Sequence, residues 1–121
     1  DRFLKTVTIT TNGQITNAAI DTLEFDTVKG KTPKIIPISG NVYAIAYAGY
    51  FDDGFLKTVE IANNGQITNA AIDTLEFSTL KGKTPKIIPV SGNVYAIAYS
   101  GNGSDGFLKT VQISAAGQIT P

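Results

Sequence analysis

Lys29-Gly30-Lys31-Thr32 and Lys81-Gly82-Lys83-Thr84 each carry the Gly-Lys-Thr ending of a phosphate-binding loop. That chemistry needs an earlier glycine ahead of the spacer residues and a strand-to-helix transition after the loop, and both are missing. What remains is a repeated basic loop. It would set Lys29, Lys31, Lys81 and Lys83 along one rim, within reach of an anion or a polysaccharide. Asp52, Asp53 and Asp105 stand beside glycines in Tyr50-Phe51-Asp52-Asp53-Gly54 and Asn102-Gly103-Ser104-Asp105-Gly106. Their oxygens have the chemistry to face Ca2+, but the spacing and terminal Glu of a calcium loop are absent and Asp-Gly is an ordinary turn. The turn is the preferred reading, and no metal is assigned.

The recurrent carboxylates Asp21 with Glu24, and Asp73 with Glu76, lie three residues apart within candidate strands. That spacing points them to opposite faces, which rules out an acid and base working on one substrate. They read as solubilising charge on an outer strand that also deters edge pairing. Tyr43, Tyr47, Tyr95 and Tyr99 have the ring faces to stack on sugars, yet they sit in wholly apolar runs and read as core with satisfied hydroxyls. The chain has no His and no Cys, which removes the commonest general base, disulfides and zinc-type sites. No catalytic residue and no cofactor is assigned. Asn102-Gly103-Ser104 matches a glycosylation sequon that the other copy lacks.

Net charge is zero, with 10 basic and 10 acidic side chains in 121 residues, so nothing marks a nucleic-acid partner. No apolar run is long enough for a membrane-spanning helix, and no signal-peptide pattern is present. The first residue is not Met, which fits a processed, tag-cleaved or excised chain.

The elements that must position these side chains come from a repeat. Shifted by 52 residues, positions 1–52 match 53–104 at 41 places, and 105–121 begins a third copy. The chain is one repeat region: unit 1 at 1–52, unit 2 at 53–104, and a partial third unit. The apolar stretches KIIP and NVYAIAY are identical in both full copies, and differences fall mostly at turns. Identity this high fits a recent natural duplication, a designed sequence or excision from a longer array. Within a unit every local signal is β. FLKTVEI (55–61) alternates, and Asn64-Gly65 is a strong hairpin signal. ITNAAIDTLEF (67–77) reads as one longer strand, with a bulge near Ala71-Ile72 where alternation slips; Ile15–Phe25 is its copy. STLKGKTP reads as a loop closed by Pro85. KIIPV is a short strand turned by Ser91-Gly92-Asn93 into VYAIAYS (94–100), whose apolar content implies burial on both faces.

Four hairpin-linked antiparallel strands in each unit resemble a β-propeller blade, closest to the loosely defined repeats of bacterial and archaeal surface propellers. The resemblance implies an all-β fold in which Lys34–Ile38 or Lys86–Val90 lies innermost. Val42–Ala48 or Val94–Ser100 follows, then a strand from Phe55 or Phe107, then an outermost strand. In that register 1–25 supplies strands three and four, 34–77 a full blade, and 86–113 strands one to three. Each chain then holds two blades plus one duplicate strand. Two blades cannot form a circle, and each would leave an apolar face bare. Covering several hundred Å2 at roughly 25 cal/mol per Å2 is worth on the order of 10 kcal/mol per junction before association entropy.

The expected partner is therefore the chain itself, in a closed homo-oligomeric ring of three or four copies, with four preferred. The expected function is a non-catalytic self-assembling propeller scaffold. The alternative is a carbohydrate-binding or cell-surface adhesion module with repeated rim-loop sites, extracellular if natural. Near-identical repeats cannot converge unlike residues on an axis, which argues against an enzyme.

Overall fold

A computed structural model describes residues 1–16 and 18–121 as an all-β chain. The strands are β1 (Arg2–Thr6), β2 (Asp21–Asp26), β3 (Lys31–Ser39), β4 (Val42–Ala48), β5 (Gly54–Glu60), β6 (Asp73–Ser78), β7 (Lys83–Ser91), β8 (Val94–Ser100), β9 (Gly106–Ile113) and β10 (Ile119–Thr120). They form three antiparallel sheets: β1-β2, β3-β4-β5-β6 and β7-β8-β9-β10. The two four-stranded sheets resemble blades.

Turn chemistry sets the succession of neighbours. Gly40 and Gly92, at φ +52° and +54°, reverse the chain between β3 and β4 and between β7 and β8. Both hairpins share one register, Pro37 opposite Tyr43 and Pro89 opposite Tyr95. These prolines lie on β3 and β7, the edge strands of their sheets, where a missing N–H donor costs no ladder bond.

Three expectations need correction. The long strands Ile15–Phe25 and Ile67–Phe77 do not exist as continuous elements. Ile15 and Ile67 make single bridges to Ile9 and Ile61, and the regular strands start only at Asp21 and Asp73. The Asn64-Gly65 turn does close as expected, with the Ala62 amide on the Gln66 carbonyl at 2.8 Å. Between Thr68, whose amide reaches the Glu60 carbonyl at 3.1 Å, and Ile72, whose amide reaches the Thr58 carbonyl at 2.7 Å, residues 69–71 loop out opposite Val59. The slip in alternation near Ala71-Ile72 is an insertion of this kind, larger than the single-residue bulge expected. Asn17, inside the first of those expected strands, lies outside the described residues. The loop STLKGKTP is also shorter than expected, because β7 begins at Lys83.

The core follows from β4. Tyr43, Ile45 and Tyr47 point to one side and Val42, Ala44, Ala46 and Ala48 to the other, and six of the seven are buried. Their sheet is accordingly covered twice. On one side Ile45, Tyr47, Val59 and Ile67 meet Leu23 and Phe25 of the β1-β2 sheet. On the other, Ala44, Ala46, Leu56 and Phe77 meet Ile87, Tyr95, Ile97, Tyr99, Val111 and Ile113 of the last sheet. Small alanines on one sheet receive the large tyrosine-rich face of the next, so the two surfaces complement each other in size. Leu56→Ala is expected to lower the unfolding free energy by about 2–5 kcal/mol. Leu80→Ala, at a loop position that is 67% exposed, should change it by less than about 0.5 kcal/mol. Urea denaturation of both variants checks the pair.

Candidate functional site

The rim loops bring some of the expected side chains together. The segments Tyr50–Asp52 and Asn102–Ser104 each form a single 3-10 turn. Phe51 and Asp52 at φ +53° and +66°, like Gly103 and Ser104 at +70° and +67°, take left-handed backbone to make it. In the first loop Asp52 accepts Lys29 Nζ at 2.7 Å, with Lys31 Nζ at 3.8 Å. The hydrogen bond from Lys29 holds the Asp52 carboxyl below its ordinary value, and the same contact raises the Lys29 ammonium. Lys31, Asp52 and Lys83 line a shallow pocket with Thr32 and Thr84. Both threonines are left-handed, at φ +47° and +44°.

The second loop has Ser104 where the first has Asp52, so no such ion pair forms there. Lys81 Nζ instead donates to the Phe51 carbonyl at 2.9 Å. Asp105 closes its turn through its backbone, accepting the Gly101 amide at 2.7 Å. The Asp53 carboxyl lies against Glu76, whose own carboxyl is pushed up by burial and then by that neighbour. Among the described residues no three His, Cys, Asp or Glu side chains gather as metal ligands. The rim is thus two unlike loops rather than one site made twice. All four tyrosines of the apolar runs pack into the core clusters.

The repeated chemistry lies between the sheets. Three hydrogen bonds join the first sheet to the second, and the same three, 52 residues on, join the second to the third. The Thr6 hydroxyl donates to the Gly65 carbonyl at 2.7 Å, as Thr58 does to Gly117 at 2.6 Å. The Ile67 amide donates to Asp21 Oδ2 at 2.8 Å, as Ile119 does to Asp73. Lys57 Nζ donates to the Phe25 carbonyl at 2.6 Å, as Lys109 does to Phe77. The bond from Ile67, followed by one from the Thr22 amide, holds the Asp21 carboxyl low. The hairpin turn that supplies the accepting carbonyl also packs tightly. A Cβ on Gly65 or Gly117 would fall 2.7 or 2.8 Å from Ile20 or Ile72 of the preceding sheet. Sequence reasoning missed these latches because their partners lie 32 to 59 residues apart on different sheets. The recurrence of Thr, Gly, Asp and Lys at the 52-residue spacing was the only available signal.

Two sheet faces have no cover. On the last sheet Leu108 is 70% exposed where its copy Leu56 is 0%, and Ala98 is exposed where Ala46 is fully buried. On the first sheet Val7 and Ile15 are 47% and 63% exposed where Val59 and Ile67 are 0% and 6%. Beside β1 lies a slot floored by Pro33, Ile35 and Ile45 and walled by Leu4 and Phe25. Ile35 is 44% exposed there, against 4% for its copy Ile87. No family model, curated protein or solved structure matches the chain.

One junction carries an extra polar contact. Tyr47 donates its hydroxyl to Asp26 Oδ2 at 3.0 Å, whereas the copy of Asp26 is Ser78, which bonds the Lys81 carbonyl. Burial pushes the Tyr47 phenol well above its ordinary value, helped by the Asp26 carboxylate. Burial also pushes the Asp26 carboxyl up, but bonds from the Lys29 and Val28 amides and from Tyr47 outweigh it and leave it low. A lowered carboxyl stabilises the fold above the ordinary carboxylate range and loses that contribution as pH falls. A raised phenol stabilises below about pH 10 and loses it as pH rises further. Asp26→Ser is therefore expected to flatten the fall in stability at acid pH, read as the urea midpoint against pH. It should lessen only part of the fall at alkaline pH, since the burial of Tyr47 remains.

A second pH response comes from β3 and β7, which run side by side. Desolvation, then the like charge of Lys34, holds the Lys86 ammonium below its ordinary value. Its charged form opposes folding, so this penalty is relieved as pH rises through the depressed value. Lys34→Gln should return the Lys86 titration toward the ordinary lysine range, observable by NMR of the side-chain ammonium region.

Proposed function

We propose that the chain is a non-catalytic, self-assembling scaffold whose sheets act as β-propeller blades, completed into a closed ring by further copies of the same chain. The observation that carries this reading is that each bare face repeats a surface already buried inside the molecule. Leu108 and Ala98 of the last sheet copy Leu56 and Ala46, which are covered in the chain by the tyrosine-rich face. Val7 and Ile15 of the first sheet copy Val59 and Ile67 of a face that covers a neighbour. The two surfaces are complementary by repetition, so a second copy meets each of them with chemistry that already works within one molecule. Exposed apolar faces of this extent are the mark of an interaction surface. Such head-to-tail contact either closes or grows into a filament, and closure is the form proposed. The lack of His and Cys and the unlike rim loops support a structural rather than a catalytic role.

Light scattering on the purified 121-residue chain tests this. The expected mass is three or four times 12.8 kDa, independent of concentration over a tenfold range. Leu108→Glu should reduce it to that of one chain while the β-type circular dichroism is retained, because Leu108 lies outside the internal core. A monodisperse single chain at micromolar concentration would sink the reading.

A further inference from the structure

The copy-to-copy contact can form in three ways, and the latches distinguish them. Simple stacking of the last sheet on the first sheet of a second copy gives the Thr110 hydroxyl an acceptor at the Gly13 carbonyl, copying Thr58 and Gly117. It gives nothing to Lys5 Nζ or the Ile15 amide, because the last sheet has no counterpart of β6 to offer a carboxylate and a carbonyl. One latch of three is made. Sharing a sheet makes all three, since strands one and two of one copy then join strands three and four of the other. Sharing leaves one strand too many, β1 or β9, and one of them must be released.

We infer, resting on the assembly reading above, that β9 of one copy pairs with β2 of the next in the register Phe107 opposite Glu24, Leu108 opposite Leu23 and Lys109 opposite Thr22, and that β1 is released. The register copies the pairing of β5 with β6. The decisive residue begins the strand. In the complete internal sheet Gly54 takes the ring of Phe77 so closely that a Cβ would lie 2.2 Å from it. Gly82 approaches the same glycine, its own Cβ position being 2.3 Å from the Gly54 Cα. Gly106 occupies this place on β9 and is open, with nothing within 4 Å of its Cβ position. On β1 the place is held by Arg2, whose side chain covers Gly30, its Cγ 2.5 Å from where a Cβ on Gly30 would stand. Phe25 and Gly30 therefore find on β9 the glycine that Phe77 and Gly82 already use, and on β1 they do not.

Strand pairing favours the same choice. β9 holds seven residues of β8 through the short loop at 101–105, and its tail makes latches to the middle sheet through Lys109, Gly117 and Ile119. β1 pairs with only five residues of β2, and 14 residues separate those two strands. Exchanging β1 for β9 returns the lost pairs and one latch, with Thr110 replacing Thr6 on the Gly65 carbonyl. Exchanging β9 for β1 dismantles a hairpin and three latches before any can be regained. Strand substitution at a sheet edge supplies the full ladder of main-chain bonds, so the incoming strand needs no new chemistry.

The chain has no cysteine, so paired cysteines report the sheet directly. In Glu24→Cys/Phe107→Cys, oxidation should join neighbouring chains into a covalent ladder on a denaturing gel, because directly opposed residues have Cβ atoms about 4.5–5.5 Å apart. Phe3→Cys/Glu24→Cys should fail to close within a chain. On the unaltered assembly, hydrogen exchange at 106–111 should run about a hundredfold or more slower than at 2–6. An oligomer in which 3–24 cross-links form within chains, 24–107 cross-links do not, and residues 2–6 stay protected would overturn the β9 assignment. A single-chain mass under the same conditions overturns the assembly reading instead.

Discussion

The two four-stranded sheets of this molecule each have two apolar faces, and that constraint governs the rest. A strand such as VYAIAYA leaves no side for water, because its odd residues are tyrosine and isoleucine and its even ones valine and alanine. The sheet that carries it is stable only as the middle of a stack. The molecule supplies that middle once, with a sheet on each side, and the last sheet repeats the same two-faced strand in β8 without the same cover.

The polar latches explain why the sheets meet in one arrangement rather than sliding. Apolar contact is non-directional, and a tyrosine-rich face can cover a leucine-and-alanine face in many offsets. A threonine hydroxyl on a glycine carbonyl, an isoleucine amide on an aspartate and a lysine on a phenylalanine carbonyl permit one offset. Losing register would leave these groups unpaired beside an apolar core, which costs more than any one bond returns. Repetition of all three at both junctions makes the junction a module, and a module that recurs within a chain has what it needs to recur between chains.

The exceptions to repetition are informative in the same terms. Ser78 stands in place of Asp26, Ser104 in place of Asp52, and Arg2 in place of the glycine at 54 and 106. The first two remove a polar contact at a rim or junction without touching the core, which is why the sheets superpose in register despite them. The third falls where, in the middle sheet, Gly54 meets Gly82 and the Phe77 ring at close range, and there Arg2 lays a side chain over Gly30 instead.

Much of this was written in the residues. Period-two alternation, Asn-Gly and Ser-Gly-Asn turns and the 52-residue repeat determine an all-β chain with hairpin-linked neighbours, because side-chain direction and turn dihedrals are local properties. The two-sided burial of Val42–Ala48 was legible for the same reason. The break after Thr68 was not, since ITNAAIDTLEF satisfies strand composition throughout and only the docking of Ile72 on the next hairpin turn bends it. The candidate rim residues were legible as a list. Whether Lys29 meets Asp52 while Lys81 turns to a carbonyl depended on loop geometry and on one serine. The inter-sheet latches lay beyond local reading altogether, because a hydrogen bond between residues 46 or 59 positions apart exists only once hydrophobic faces have brought the sheets together.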